Sequence, residues 1–171
     1  MKKAQQNAFT LLELMATLAI VVIFSMFALP SMSEFIKNER LTTQINSLVA
    51  SLQRARSEAI LRHLPVTVCS SSNGTACTDD NWQDGWIVFV DVNGDAAVDA
   101  EDEILQAQAQ LNGDTNLGSS SGDTRIVYDS RGFTPNTNLT FSLCDDRGSS
   151  HGKSISISNT GRVTRGGAVT C

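Results

Sequence analysis

Between Phe9 and Leu29 the chain runs for 21 residues with a single ionisable side chain, Glu13. As a helix, a run of that length covers about 30 Å, the thickness of a hydrocarbon core, so the segment reads as a membrane helix. Burying a carboxylate near the middle of such a helix costs on the order of 3 kcal/mol, and intramembrane acids usually answer to a specific partner. Glu13 sits near one end, where the cost is smaller and the need for a partner is reduced. Lys2 and Lys3 precede the run, and no acid lies among the first eight residues. The positive-inside bias then keeps the N-terminus cytoplasmic and exports the remainder. Two plainer accounts compete. A secretory signal also has a basic start and an apolar middle, but it rarely holds a Glu, and the small residues near Ser31 and Ser33 make a weak cleavage site. A simple membrane anchor fits the hydropathy and leaves Glu13 without a purpose.

The spelling Ala8-Phe9-Thr10-Leu11-Leu12-Glu13-Leu14, the short Lys-bearing leader before it and Pro30 after it resemble the class III signal of type IV pilins and type II secretion pseudopilins. The resemblance implies that a prepilin peptidase cuts between Ala8 and Phe9, that Phe9 becomes the N-methylated first residue, and that Glu13 is the assembly carboxylate. Ala8 stands where that family usually has Gly, a departure that bears on cleavage efficiency. The implied chemistry is physically coherent. A protonated amine at Phe9 of one subunit neutralises Glu13 of its neighbour in a low-dielectric filament core, so neither charge is orphaned.

Removing such a leader leaves 163 residues, enough for a long helix and one compact domain. The formal charge is −5 and falls to −7 without Lys2 and Lys3, which argues against a chain that coats nucleic acid over its whole surface. A proline within a helix withdraws one backbone bond and crowds the preceding turn, so Pro30 predicts a kink or local unwinding. Beyond it Leu41, Ile45, Leu48, Val49, Leu52, Ala55, Ala59 and Ile60 recur at three- and four-residue steps, a stripe expected to pack on a globular head. Pro65 is expected to end the helix.

After Pro65 come short β-rich runs separated by Gly, Asn, Asp and Ser. The expected strands are Val66 to Ser70, Gly85 to Asp91, Glu103 to Ala107, Thr124 to Tyr128, Leu139 to Leu143, Ser154 to Ser158 and Arg162 to Thr164, forming one antiparallel sheet. Leu111 to Asp123 lacks apolar periodicity and is expected as an exposed loop. No internal repeat is present. The organisation is therefore a leader at 1–8, a transmembrane helix at 9–29, its amphipathic continuation at 30–64, and a β-rich head with a C-terminal tail at 65–171. The fold class is α+β.

All four cysteines follow residue 65, which suits an oxidising exterior. Of three possible pairings, Cys69 with Cys77 closes a short loop containing Gly74, and Cys144 with Cys171 ties down the final segment. No CxxC pair exists, and His63 and His151 lack ligand-like spacing, so neither a metal site nor a cofactor is expected. Asp91-Val92-Asn93-Gly94-Asp95, with Asp99 and Asp102, imitates an EF-hand loop, with an acid at the twelfth position. Ala96 stands where that loop needs Gly, and Asp102 is shorter than the usual Glu. A polar hairpin turning at Asn93-Gly94 accounts better for the segment.

Arg-Ala-Arg-Ser-Glu-Ala-Ile in the helix, then Gly-Trp-Ile-Val-Phe-Val-Asp-Val-Asn-Gly-Asp, Leu-Cys-Asp-Asp-Arg-Gly and Ile-Ser-Asn-Thr-Gly-Arg-Val together resemble the GspH/FimT group of minor pseudopilins over nearly the whole chain. The resemblance implies a pilin-like fold and a minor subunit of a type IV pilus or secretion filament, carried at or near the tip. It further implies other pilins as partners, and the inner membrane before assembly with the head periplasmic. From Arg147 to Cys171 the chain holds Arg147, Lys153, Arg162 and Arg165 but no acidic side chain. FimT-like proteins carry a Gly-Arg-x-Arg motif here that resembles a DNA contact for natural transformation. In this chain the residues run Gly161-Arg162-Val163-Thr164-Arg165, with the second Arg displaced by one. Along a strand that slip sends Arg162 and Arg165 to opposite faces. Phosphate contacts there would lack sequence preference and weaken steeply with salt. No HExxH, nucleophile elbow, P-loop or dinucleotide fingerprint is present, so no enzyme is expected.

Overall fold

The computed structural model describes residues 10–135 and 137–171. The expected cleavage at Ala8 and Phe9, and the methylation of Phe9, fall outside the described residues. Among the described residues one α-helix, α1 (Leu11–Arg62), precedes eight strands, with a single 3-10 turn at Trp82–Asp84 between the first two: β1 (Val66–Ser70), β2 (Gly85–Val90), β3 (Glu103–Ala109), β4 (Asn116–Ser119), β5 (Arg125–Tyr128), β6 (Leu139–Cys144), β7 (Lys153–Ile157) and β8 (Val163–Arg165). The chain divides into two compact units, the first ending at Glu39 and the second covering Arg40–Cys171.

In the first unit Thr10 caps α1. Its hydroxyl oxygen accepts the backbone N–H of Glu13 at 3.3 Å, satisfying one of the orphan donors of the first turn. Glu13 lies in that turn, where the positive end of the helix dipole favours an acid. Thr17 and Ser25 donate to the carbonyls of Leu14 and Val21, which hides their hydroxyls within the helix. Leu11, Leu14, Leu18, Val21, Val22 and Ile23 are all exposed, and α1 is long and apolar enough to cross a membrane. The helix forms one element from Leu11 to Arg62, so it is not broken at Pro30, where a kink or local unwinding is expected.

At its other end α1 stops at Arg62, ahead of Pro65. His63 takes a left-handed φ of 57°, the conformation that closes helices, and Leu64 precedes a proline, which disfavours helical geometry.

In the second unit the predicted stripe is buried at Leu41, Ile45, Leu48, Val49, Leu52, Ala55 and Ala59. Ile60 departs from it and is 44% exposed. The strands form two four-stranded antiparallel sheets, ordered β3-β2-β1-β5 and β4-β6-β7-β8, where the sequence suggested one. The helical stripe meets Val66, Val68, Trp86, Val88, Ile126 and Tyr128 of the first sheet, and Phe141, Leu143, Ile155 and Ile157 of the second, in one core. A smaller cluster of Cys69, Ile87 and Phe89, joined by Cys77 and Val98, lies apart from that core. Ser51 is the polar hub. Fully buried, it donates to the Ser47 carbonyl and accepts both the Trp86 indole N–H and the Gln106 amide at 3.0 Å.

The segment expected as an exposed loop from Leu111 to Asp123 contains β4. Leu117 pairs with Leu143 of β6 and is 1% exposed, and Leu111 and Thr115 are buried. One large apolar residue in a Gly/Ser/Asn stretch gives no period, yet it suffices to seat an edge strand on the core. Arg56 ties α1 to two distant turns, donating through Nε to the Gly132 carbonyl at 3.1 Å and through Nη2 to the Thr160 carbonyl at 3.0 Å. Those turns touch. Gly161 has φ +72°, and a Cβ there would collide with the Gly132 carbonyl oxygen.

Candidate functional site

The C-terminal segment places its four cations in different surroundings. Arg147 is bound to Asp145, with Nη2 to Oδ2 at 2.8 Å and Nε to both carboxylate oxygens at 3.1 and 3.2 Å. The Asp145 side chain is fully buried and that of Arg147 is 10% exposed, so this pair holds the β6–β7 turn and the guanidinium does not face solvent. Arg147→Ala is expected to cost about 3 kcal/mol, because removing one partner leaves a buried charge uncompensated. The check is the denaturation midpoint of the full chain in detergent.

Arg165 pairs in register with Ile155, and Val163 with Ile157. Both isoleucines face the core, so Arg165 lies on the α1 side of the sheet, where its Nη2 donates to Asn46 Oδ1 at 2.8 Å. Arg162 precedes β8 and is exposed. Strand alternation sets it, with Thr164, on the face opposite Arg165. Lys153 and Arg165 share a recess of about 380 Å³ whose apolar lining includes Ile45, Ile155 and Val169. The fold thus brings two of the four cations together and separates the other two.

The Asp91 segment is the connection between antiparallel β2 and β3. Asp91 is fully buried; its Oδ1 accepts the N–H of Gly94 at 2.7 Å and of Asp95 at 3.1 Å, and its Oδ2 accepts the Ala96 N–H and the Thr67 hydroxyl at 2.9 Å. Asp102 accepts the N–H groups of Val92 and Asp99. The Asn93 amide donates to Asp95 and Asp99. These carboxylates answer the loop's own donors, and among the described residues no group of three or more His, Cys, Asp and Glu side chains is placed to hold a metal. Ala96 adopts φ 60°, the left-handed turn that an EF-hand assigns to Gly.

The structure joins Cys69 to Cys77 and Cys144 to Cys171. The first bridge closes the segment after β1; the second fixes the last residue to the end of β6. The sequence did not anticipate Arg125, which binds Asp79 through Nε and Nη2 at 3.0 and 2.7 Å and the Ala96 carbonyl through Nη1 at 2.7 Å. Arg125, with the Thr124 hydroxyl in support, holds the Asp79 carboxyl below the ordinary carboxylate value of 3.8. A carboxylate shifted downward stabilises the fold above its unfolded pKa and loses that contribution as pH falls through its folded value. Stability is therefore expected to drop on acidification below about pH 4, and an Asp79→Asn chain should show a shallower drop in a pH series of thermal melts.

A lone acid at the head of an apolar membrane-length helix, whose other end packs on disulfide-bonded antiparallel sheets, defines a pilin-like subunit. The model of the type II transport protein GspH matches residues 44–161, and that of the prokaryotic N-terminal methylation motif matches residues 3–29. The chain belongs to the GspH family of minor pilins and pseudopilins, which serve type IV pili or type II secretion. Its fold is similar to that of the type IV minor pilin FimU of Pseudomonas aeruginosa, with a TM-score of 0.63 and 21% identity over 78% of this chain and 93% of that one. The minor pseudopilin EpsH from the type 2 secretion system of Vibrio cholerae is also similar, with a TM-score of 0.53 and 13% identity over 74% of this chain and 95% of that one. No curated protein sequence matches the chain.

Proposed function

We propose that this chain is a structural minor subunit of a type IV pilus, anchored in the inner membrane with its head in the periplasm and incorporated at or near the filament tip. The observation that carries the reading is Glu13, the one acid of the apolar run, seated in the first turn of a helix whose far end is built into the head core. A prepilin peptidase frees Phe9. Its amine then meets Glu13 of a neighbouring pilin, and the apolar flank of α1 packs among other pilin helices. The domain scheme of leader 1–8, membrane helix 9–29, amphipathic helix 30–64 and head 65–171 belongs to this reading. Service in a type II secretion filament uses the same parts and is distinguished by a secretion phenotype.

DNA uptake is the weaker account of the basic tail, because Arg147 is neutralised by Asp145 and strand alternation parts Arg162 from Arg165. Mass spectrometry of the membrane-purified protein tests the main reading. A first residue of N-methylated Phe9 is expected; an intact Met1, or a start beyond Leu29, would overturn it.

A further inference from the structure

β7 begins with a cation where its pattern calls for an apolar residue. Ile155 and Ile157 point into the core, and two-residue alternation puts Lys153 on the same face. Across the ladder Lys153 pairs with Leu143, itself buried in that core. Arg165, opposite Ile155 on β8, joins it there. Two cations thus stand on the face by which the second sheet packs against α1.

Neither charge is neutralised. Arg165 is exposed, and its acceptor is the Asn46 amide oxygen, which orients the guanidinium without cancelling its charge. Lys153 is exposed, and its ammonium has no partner among the described residues. The recess of about 380 Å³ that the two share has no Asp or Glu in its lining. Arg62, Arg125, Arg131 and Arg147, by contrast, each hold a carboxylate of this chain.

The walls define the kind of anion that belongs there. From α1 come Ile45 and Asn46. From the C-terminal segment, tied down by Cys144–Cys171, comes Val169, packed so closely on Gly152 that a Cβ there would lie 2.6 Å from Val169 Cγ1. Ile45, Ile155 and Val169 give the recess apolar walls, which suit an anion on an apolar stem and strengthen its attraction to the cations by lowering the local dielectric. A carboxylate matches: its two oxygens can accept from the guanidinium N–H groups that Asn46 leaves free and from the ammonium. A nucleic-acid strand is matched by several cations along its phosphates, whereas here Arg147 is held by Asp145 and Arg162 lies on the other face.

We propose that this recess receives an acidic side chain of a neighbouring pilin in the filament, its carboxylate paired with Lys153 and Arg165 and its stem against the apolar walls. The proposal rests on the pilus reading above. The contact is heterologous, one surface against a different one, so both chains keep their membrane helices pointing the same way.

The test uses filaments sheared from cells that produce the full chain, treated with a water-soluble carbodiimide. The reagent adds to the carboxyl O–H, the Lys153 amine sheds its proton and attacks the activated carbonyl carbon, and a urea leaves. An amide then joins the two chains only where amine and carboxylate touch. Mass spectrometry is expected to find Lys153 linked to an Asp or Glu of another pilin, a result that needs no substitution in this chain. Arg165→Gln should cut the yield of that link at least about fivefold, because the carboxylate loses its bidentate partner, while Arg162→Gln should leave it unchanged. A Lys153→Glu/Arg165→Glu chain should enter filaments at least about tenfold less readily than the parent relative to its abundance in the membrane, since like charges then oppose each other at the contact. Filaments that contain the chain with Lys153 unlinked, or parental incorporation of the double variant, would overturn the proposal and leave the pilus reading standing. Loss of salt-sensitive DNA retention in the double variant alongside an unlinked Lys153 would reassign the two cations to nucleic acid. Absence of the parent chain from sheared filaments would refute the pilus reading and this proposal with it.

Discussion

A Glu13→Ala chain is expected to enter filaments about a hundredfold less readily than the parent, as measured by its abundance in sheared pilus fractions against its abundance in the membrane. The size follows from the proposed junction. In a filament core of low dielectric the freed amine of Phe9 is compensated by a neighbour's Glu13, and removing one member of a buried ion pair costs about 3–5 kcal/mol. At 1.36 kcal/mol per tenfold, the lower end of that range is already about two orders of magnitude. Glu13→Gln keeps the shape and a hydrogen-bonding amide oxygen while removing the charge, so it should fall between the two. Membrane insertion should not suffer, since losing a carboxylate from an apolar run makes the helix cheaper to bury. Parental incorporation of Glu13→Ala would refute the role assigned to the acid.

Loss of the Cys144–Cys171 bridge carries the second largest expected effect. The bridged residues are 27 apart in sequence, and closing a loop of that size in the unfolded chain is worth about 3–4 kcal/mol on the chain-entropy account. The Cys69–Cys77 bridge spans 8 residues and on the same account is worth about 2–3 kcal/mol. A Cys144→Ser/Cys171→Ser chain is therefore expected to melt lower than a Cys69→Ser/Cys77→Ser chain. The first pair should also release the tail from the Ser142 hydroxyl, which accepts the Thr170 N–H at 3.1 Å. Thermal melts of both variants in detergent, with and without reductant, provide the comparison. An inverted order would show that packing around the short loop outweighs chain entropy.

The helical stripe was legible because seven of its eight positions pack on one core, and burial on one face imposes a period that local sequence cannot hide. Strands flanked by Gly, Asn and Asp were legible for a similar reason, since turn residues mark where each must stop. The division into two sheets was not, because which strand pairs with which depends on contacts far apart in the chain. β4 escaped notice since Leu117 alone carries it. The basic tail misled through its boundary. Counted from Arg147 onward the segment has no acid, yet Asp145 lies two residues upstream, and in a tight turn that is close enough for the two side chains to meet. Arg162 and Arg165 illustrate the opposite case, where the two-residue period of a strand foretold opposite faces and the Ile155–Arg165 register agrees with it.

The clasp made by Arg56 has a mechanical side. One guanidinium grips the Gly132 carbonyl, in the connection from β5 to β6, and the Thr160 carbonyl, in the turn from β7 to β8. Tension drawn along α1 therefore reaches both sheets through this side chain as well as through the buried stripe. A subunit tugged by its stalk would resist as a whole, and cutting this single side chain back to alanine would let the stalk slip under a smaller force.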